Sequence, residues 1–173
     1  YFKILMLSFG GLAASAQGSE QPESPVFEIF APEKVVASAA GKQISATEWR
    51  LTDIKGETIG LHRYRVSSDV ARAQVFYLPG TNMNGVLKTS DERNNLWLFL
   101  AARGVTVFTL DYRTRFVGAD FNGDLSFMRD WTFARFVMDA QNAVLQIKST
   151  SAAVPLYVAG FSRGVSYAYA LAG

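Results

Sequence analysis

The first part of the chain alternates apolar and polar positions in the manner of β-strands. Between residues 26 and 66 the alternation has a period near two, which is typical of strands with one buried face. Residues 44–51 and 59–66 carry the clearest alternation, and a turn containing Gly56 separates them. Two such segments joined by a glycine-containing turn predict an antiparallel hairpin.

The remainder of the chain alternates between two different patterns. Three short runs are predominantly apolar, which is typical of strands covered on both faces: 73–78, 105–110 and 154–159. Segments with apolar residues at helical spacing follow each run. This alternation of three strands with three helices predicts a parallel sheet with helices on both faces and right-handed crossovers. We therefore predict an α/β fold, a mostly parallel doubly wound sheet with an antiparallel N-terminal hairpin.

Local signals place the ends of the predicted helices. Residues 89–92 have the form of a capping box ahead of the first helix, and Gly104 ends that helix. Asp130 is the predicted N-cap of a long second helix. The third helix is expected from Val165 onward.

The N-terminal residues have the pattern of an export signal. An apolar run at 4–14 leads into Ala14-Ser15-Ala16, the small-x-small form of a signal-peptidase site. We expect residues 1–16 to be a signal peptide whose start is missing, cleaved after Ala16, with 17–25 as a linker. The alternative is a buried N-terminal helix, which two adjacent glycines within the run disfavour.

Composition excludes several classes of function. The chain has 173 residues, a net charge of +2, and 17 basic against 15 acidic residues, so we predict no nucleic-acid binding. It has no cysteine and a single histidine, His62, which excludes a thiolate site or a multi-histidine metal cluster. We predict no metal and no cofactor.

Residues 160–164 carry the strongest chemical signal. Gly160-Phe161-Ser162-Arg163-Gly164 has the form Gly-x-Ser-x-Gly, with an apolar strand before it and a helix-compatible segment after it. A tight strand-to-helix turn of this kind strains the serine backbone and lifts the hydroxyl clear of the sheet. The two glycines leave room for the neighbouring backbone. The alternative is an ordinary glycine-bounded turn with an N-capping serine.

This segment resembles the nucleophile elbow of the α/β-hydrolase fold family. Two upstream features agree with the resemblance. Pro79-Gly80-Thr81 follows a strand where the family has His-Gly-x, and Asp111-Tyr112-Arg113 stands where the family often has Asp-x-Arg-Gly. Pro79 and Thr114 depart from the family pattern. The resemblance covers residues 44–173, and it implies that 26–173 are the N-terminal portion of such a domain, truncated after the nucleophile helix.

The resemblance also implies roles for individual residues. Ser162 would be the nucleophile of an acyl-enzyme mechanism, and Gly160 and Gly164 would shape the elbow. The backbone N–H groups of Arg163 and Thr81 would form the oxyanion hole, with side-chain help from Asn82 or Asn84. A plain turn is the alternative for residues 79–81.

The general base is not evident in this sequence. The family order is serine, then acid, then histidine, whereas His62 precedes the serine. We expect His62 to be a surface or half-buried strand residue, and the triad acid and histidine to lie beyond residue 173. Asp111 is expected to orient its loop through Arg113 or backbone N–H groups. The aromatic loop at 115–128 is a candidate lining for an acyl pocket.

The expected protein is a secreted or periplasmic serine hydrolase that acts on a small-molecule ester or amide, most readily an ester. No nucleic acid is expected as a partner, and no stable membrane anchor after the signal is removed. The alternative is a catalytically silent α/β-hydrolase-like domain that binds a ligand or partner. An intact elbow favours the enzyme, because strained backbone persists where function uses it.

Overall fold

The computed structural model describes residues 7–8, 26–86, 92–151 and 153–173. The strands form one seven-stranded sheet: β1 (Leu7–Ser8), β2 (Glu28–Ala39), β3 (Lys42–Thr52), β4 (Thr58–Val66), β5 (Ala73–Leu78), β6 (Val105–Asp111) and β7 (Leu156–Gly160). The α-helices are α1 (Leu96–Ala102), α2 (Phe133–Thr150) and α3 (Arg163–Ala172). Short 3₁₀ turns occupy Glu92–Asn94, Arg113–Phe116 and Ser126–Asp130.

The sheet runs in the order β1-β7-β5-β6-β4-β3-β2. β5 pairs in parallel with both β6 and β7, so the three apolar runs are parallel neighbours around a central β5, as predicted. β4 joins β6 antiparallel, and β3 and β2 continue the sheet antiparallel. The predicted hairpin is therefore β3 and β4, with Gly56 in their turn at φ 79°. The mixed α/β fold predicted from the sequence is confirmed.

Helices cover the sheet on both faces, as the alternation predicted. The larger core packs α2 and α3 against one face and includes Phe76, Phe108 and Tyr167. The smaller core packs α1 against the other face and includes Leu98 and Val107. Because adjacent residues of a strand point to opposite faces, Val107 and Phe108 belong to different cores. The central strands are therefore covered on both faces, whereas most residues of β2 are exposed.

The helix ends differ in part from the sequence prediction. Gly104 follows α1 with φ 77°, as expected for a residue after a helix C-cap. The N-cap of α1 is Asn95, whose side chain accepts from the Trp97 and Leu98 N–H groups, whereas residues 89–91 of the predicted capping box lie outside the described residues. The prediction for Asp130 was wrong, because Thr132 caps α2 through the Arg135 N–H.

The predicted signal peptide and the linker at 17–25 lie outside the described residues, apart from Leu7–Ser8. Those two residues pair antiparallel with β7, through Val158 and Tyr157. The boundaries proposed for these segments remain predictions. Within the described part of the chain, no helix has the length and apolar character needed to cross a membrane.

Candidate active site

Ser162 occupies a strained turn between β7 and α3. Its backbone has φ 53° and ψ −123°, a region that residues with a Cβ rarely adopt. Ordinary N-cap residues have extended backbone and a capping side chain, as Thr132 and Asn95 do here. Ser162 has neither, because its side chain makes no cap hydrogen bond, and the residue is exposed. The turn therefore presents the hydroxyl outward rather than using it as a cap.

The two motif glycines let backbone segments meet closely beneath Ser162. A Cβ on Gly164 would overlap the carbonyl oxygen of Leu78 and lie 2.6 Å from that of Pro79. A Cβ on Gly160 would overlap the Gly164 backbone and lie 2.6 Å from the Val165 nitrogen. Both distances are shorter than any normal carbon contact, so α3 can start this close to β5 only with glycine at these two positions.

The predicted oxyanion segment lies directly beside the serine. Leu78 on β5 is in register with Gly160 on β7, so the residues that follow the two strands emerge together. A Cβ built on Gly80 would be 3.1 Å from the Ser162 Cβ, which places the adjacent Thr81 amide close to the serine. A turn from Gly80 to Met83 follows, closed by an N–H to carbonyl bond of 3.2 Å. Asn82 lies in this turn at φ 60°, and Asn84 accepts the Val86 N–H through its side-chain oxygen.

Aromatic side chains pack beside the end of β5 and the start of α3. The Tyr112 hydroxyl donates to the Pro79 carbonyl over 2.9 Å, and burial raises the pKa of Tyr112, so it remains a neutral donor. Its ring packs edge-on against Tyr167 of α3 and Phe136 of α2. The Arg163 guanidinium lies 5.3 Å from the Phe136 ring and 5.5 Å from the Tyr167 ring. These contacts link the elbow helix, the Pro79 turn and α2 in one packed unit.

A buried pair of polar side chains, His62 and Asp111, lies on the face of the sheet that α1 covers. His62 Nε2 and Asp111 Oδ2 are 2.9 Å apart, and the two residues are only 5% and 3% exposed. The other Asp111 oxygen accepts the Gly85 N–H over 2.6 Å. The expectation that Asp111 orients a loop through backbone N–H groups fits this contact, but Arg113 does not contribute to it.

His62 is not the half-buried strand residue expected from the sequence; it is fully buried. It is paired in register with Thr109, which is level with Tyr77 on β5 and Ala159 on β7. Three strand spacings separate β4 from β7, about 14 Å, and three residues along a strand add roughly 10 Å before Ser162. His62 therefore cannot contact the Ser162 hydroxyl, and the sequence contains no other histidine.

Arg113 is the centre of a separate buried ion-pair network. It makes a bidentate pair with Asp139 of α2, at 2.6 Å and 2.7 Å, and reaches Asp53 over 3.0 Å. Glu57 also accepts from Arg113, and Arg135 from α2 donates to Asp53. Burial alone would lower the pKa of Arg113, but these carboxylates raise it overall, so the side chain remains cationic. The network ties the β3–β4 turn to α2.

The aromatic loop forms a cleft away from the serine. A cavity of about 360 Å³ lies between this loop and the β3–β4 turn, and its apolar lining comprises Phe116, Phe121, Phe127 and Trp131. The described residues that line this cavity do not include Ser162. The structure therefore does not bring the candidate acyl-pocket loop to the proposed nucleophile. The described residues also contain no cluster of three or more histidine or carboxylate side chains placed to hold a metal ion.

The sequence analysis did not predict two side-chain pairings: His62 with Asp111, which also binds the Gly85 N–H, and Arg113 with Asp139. Asp139 lies on the buried face of α2 among apolar residues, which is a signal that a charged residue there has a partner. His62 and Asp111 lie on different strands, 49 positions apart, and no local pattern pairs them.

Comparison with known proteins gives a clear structural result but no sequence family. No family model matches the chain, and no curated protein matches it. A candidate lipase from Sulfolobus solfataricus is 27% identical with a TM-score of 0.65, over 74% of this chain and 40% of that protein.

Other solved esterases are similar at lower identity. A cold-adapted esterase from an Arctic intertidal metagenomic library is 19% identical with a TM-score of 0.52, over 74% of this chain and 55% of that protein. Acetyl xylan esterase 1 from Thermoanaerobacterium is 15% identical with a TM-score of 0.54, over 85% of this chain and 48% of that protein. The chain thus spans about half the length of these proteins, and its sheet and helices have the architecture of esterases and lipases.

Proposed function

We propose that this chain carries the nucleophile and oxyanion hole of a serine hydrolase that cleaves esters through an acyl-enzyme. The observation that carries the proposal is the backbone of Ser162, held at φ 53° between two glycines that no larger residue could replace. Strained positions of this kind persist where a function uses them. The structural similarity to esterases and lipases supports the same reaction class.

Each proposed role follows from position. Ser162 Oγ attacks the ester carbonyl carbon, and the electron pair moves onto the carbonyl oxygen. The Arg163 N–H is the first amide of α3, which helix geometry leaves without an intrahelical acceptor. Together with the Thr81 N–H, it donates a hydrogen bond to the developing oxyanion. Collapse of the tetrahedral intermediate expels the alkoxide, which takes up the proton that the base removed from Ser162 and leaves as the alcohol, while the acyl group stays on Ser162. Water then hydrolyses this acyl-enzyme, which releases the carboxylic acid and restores the serine hydroxyl.

The base that activates Ser162 is proposed to come from outside these 173 residues. A serine hydroxyl is a weak nucleophile at neutral pH until a base removes its proton. Burial and pairing with Asp111 argue against this role for His62. His62 also lies on β4, which β5 and β6 separate from β7. We propose that the triad acid and histidine belong to the part of the protein that corresponds to the second half of the similar esterases.

Export to the periplasm or the cell exterior is proposed on the apolar run and the Ala14-Ser15-Ala16 site alone. N-terminal sequencing of the mature protein tests this. A mature chain that begins upstream of residue 12 would contradict cleavage after Ala16.

A fluorophosphonate probe tests the enzymatic proposal most directly. The probe should label Ser162 in the protein of full natural length, and Ser162→Ala should abolish both labelling and turnover of short-chain p-nitrophenyl esters. Ser166→Ala, in the exposed part of α3, is the matched control and should keep both. A folded wild-type protein that neither reacts with the probe nor hydrolyses esters would favour the alternative, a catalytically silent binding domain.

A further inference from the structure

The segment that follows β5, residues 79–86, carries the proposed oxyanion donor Thr81 and is held at both ends. At the near end, Tyr112 donates to the Pro79 carbonyl over 2.9 Å. At the far end, Gly85 is buried and hydrogen-bonded through both its N–H and its carbonyl. Thr81 itself is exposed between these two attachments.

The attachment at Gly85 uses four side chains. The Gly85 N–H donates to Asp111 Oδ1 over 2.6 Å. The Gly85 carbonyl accepts from the Thr109 hydroxyl over 2.6 Å and from the Tyr64 hydroxyl over 2.9 Å. His62 contacts the second Asp111 oxygen over 2.9 Å, so both carboxylate oxygens have a partner.

Close steric contact also restricts the position of Gly85. A Cβ on Gly85 would be 2.7 Å from Thr109 Oγ1 and 3.0 Å from His62 Cδ2. The segment therefore lies directly on the β4–β6 surface, and even an alanine would push it away. Hydrogen bonding and close approach together determine where the chain passes, four residues after Thr81.

Burial of the Asp111 carboxylate costs folding free energy, and the fixed position of the residue 79–86 segment is a function that would account for that cost. A buried carboxylate is expensive to maintain, and an ordinary surface loop can be held by apolar packing alone. A charge-assisted hydrogen bond to one amide gives a more sharply defined position. Positions that bind a transition state need that definition, since a displacement of about 1 Å can cost roughly 10²-fold in rate.

We propose that Asp111, held by His62 and assisted by Thr109 and Tyr64, is a positioning residue for the oxyanion turn. The inference rests on the proposed function, because it assigns a task to the turn that carries Thr81. His62 and Asp111 resemble a catalytic histidine–carboxylate pair in composition, but they act through the main chain of Gly85 rather than on substrate.

The test compares Asp111→Ala with Asp111→Asn in the protein of full natural length. The asparagine keeps an oxygen for the Gly85 N–H, and its amide can donate to His62 when the imidazole proton is on Nδ1. We expect Asp111→Ala to lower kcat by about 10- to 100-fold with KM little changed, because only transition-state binding is lost. Asp111→Asn should recover most of that loss. Asp69→Ala, at an exposed pair with Lys42, is the control and should have wild-type kcat.

A second variant covers the case in which Asp111→Ala does not fold. Thr109→Val combined with Tyr64→Phe removes both donors to the Gly85 carbonyl while preserving shape. It should lower kcat and speed the hydrogen exchange of the amides of residues 81–86. Wild-type kcat and unchanged exchange in this folded variant would overturn the proposal, as would equal kcat values for Asp111→Ala and Asp111→Asn.

Failure of the proposed function gives a different result. In that case Ser162 is not labelled by fluorophosphonate even in the wild-type protein. The exchange measurement needs no turnover, so it reports on the attachment of the segment independently of the reaction.

Discussion

Two regions at the carboxyl-end half of the sheet use polar residues in opposite ways. The elbow region, Ser162 with the Gly80 turn, exposes a hydroxyl on strained backbone and leaves it uncapped. The charged region comprises two separate clusters, the His62–Asp111 pair and the Arg113 network, and in both the ionisable side chains are buried and closely paired. The charged region contains a histidine and carboxylates, which are two of the three residue types of a catalytic triad, whereas the elbow contains the serine that we propose as the nucleophile.

Exposure and backbone strain therefore favour Ser162 as the proposed nucleophile, whereas residue type alone would favour His62 and Asp111. A histidine beside an aspartate is a common catalytic arrangement, yet here both side chains are directed at each other and at a main-chain amide. The turn that carries Ser162, by contrast, is held by backbone hydrogen bonds and by close backbone contacts at Gly160 and Gly164.

The largest effect is expected at Ser162. Ser162→Ala and Ser162→Gly should each reduce ester hydrolysis by the full-length protein by roughly 10⁴-fold or more. Only the glycine variant should gain stability, on the order of 1 kcal/mol, because glycine tolerates positive φ whereas alanine keeps the strain. Urea unfolding of the two variants measures this. Equal stabilities would show that the elbow is not strained.

Arg113→Met should cause the largest loss of stability. It leaves Asp139 buried without its cation, which typically costs about 3–5 kcal/mol. The shift in urea midpoint measures this. Lys55→Met, at the exposed pair with Asp130, is the matched control and should not move the midpoint measurably. A small loss for Arg113→Met would mean that the network is not the main tie between the β3–β4 turn and α2.

The contribution of Asp53 to the free energy of unfolding should decrease in acid. Burial acts to raise the pKa of Asp53, but hydrogen bonds from Arg113 and from the Glu57 and Lys55 N–H groups lower it overall. A lowered folded-state pKa means that this contribution is complete above the unfolded value and is lost as the pH falls through the folded one. Asp53→Asn should cost roughly 1.5 kcal/mol at neutral pH and less in acid.

Urea midpoints of wild type and Asp53→Asn, measured from about pH 7 to about pH 2, test this, with the curves expected to converge at the acid end. Asp120→Asn, in the exposed loop, provides the control. Parallel curves for Asp53→Asn and wild type would contradict the assignment.

The smallest effect is expected at Tyr112, which links the two regions. Tyr112→Phe removes the donor to the Pro79 carbonyl while keeping the ring packing, and should cost about 0.5–1.5 kcal/mol in unfolding free energy. A several-fold fall in kcat should accompany it, because the Pro79 turn precedes the Thr81 amide. Tyr169→Phe, exposed on α3, should change neither quantity.

Local sequence patterns were sufficient to predict the fold and the strained turn at Ser162. The apolar runs located β5, β6 and β7 within two residues, because strands covered on both faces are predominantly apolar. Gly160, Ser162 and Gly164 could be recognised because the contacts that demand glycine involve residues adjacent in sequence or on the next strand. The Asp130 prediction failed because Thr132, two residues on, also has a capping side chain and only the observed helix start decides between them.

Tertiary structure alone decided what the charged residues do. His62 and Asp111 are neighbours because β4 lies beside β6, an antiparallel pairing that skips β5 in chain order. Arg113 found Asp139 across 26 residues because α2 returns over the same strand end. Hydrophobic periodicity reports which face of an element is buried, and a glycine motif reports a local close approach. Neither reports which buried charges meet, because that depends on strand order and helix placement, properties of the whole assembled sheet.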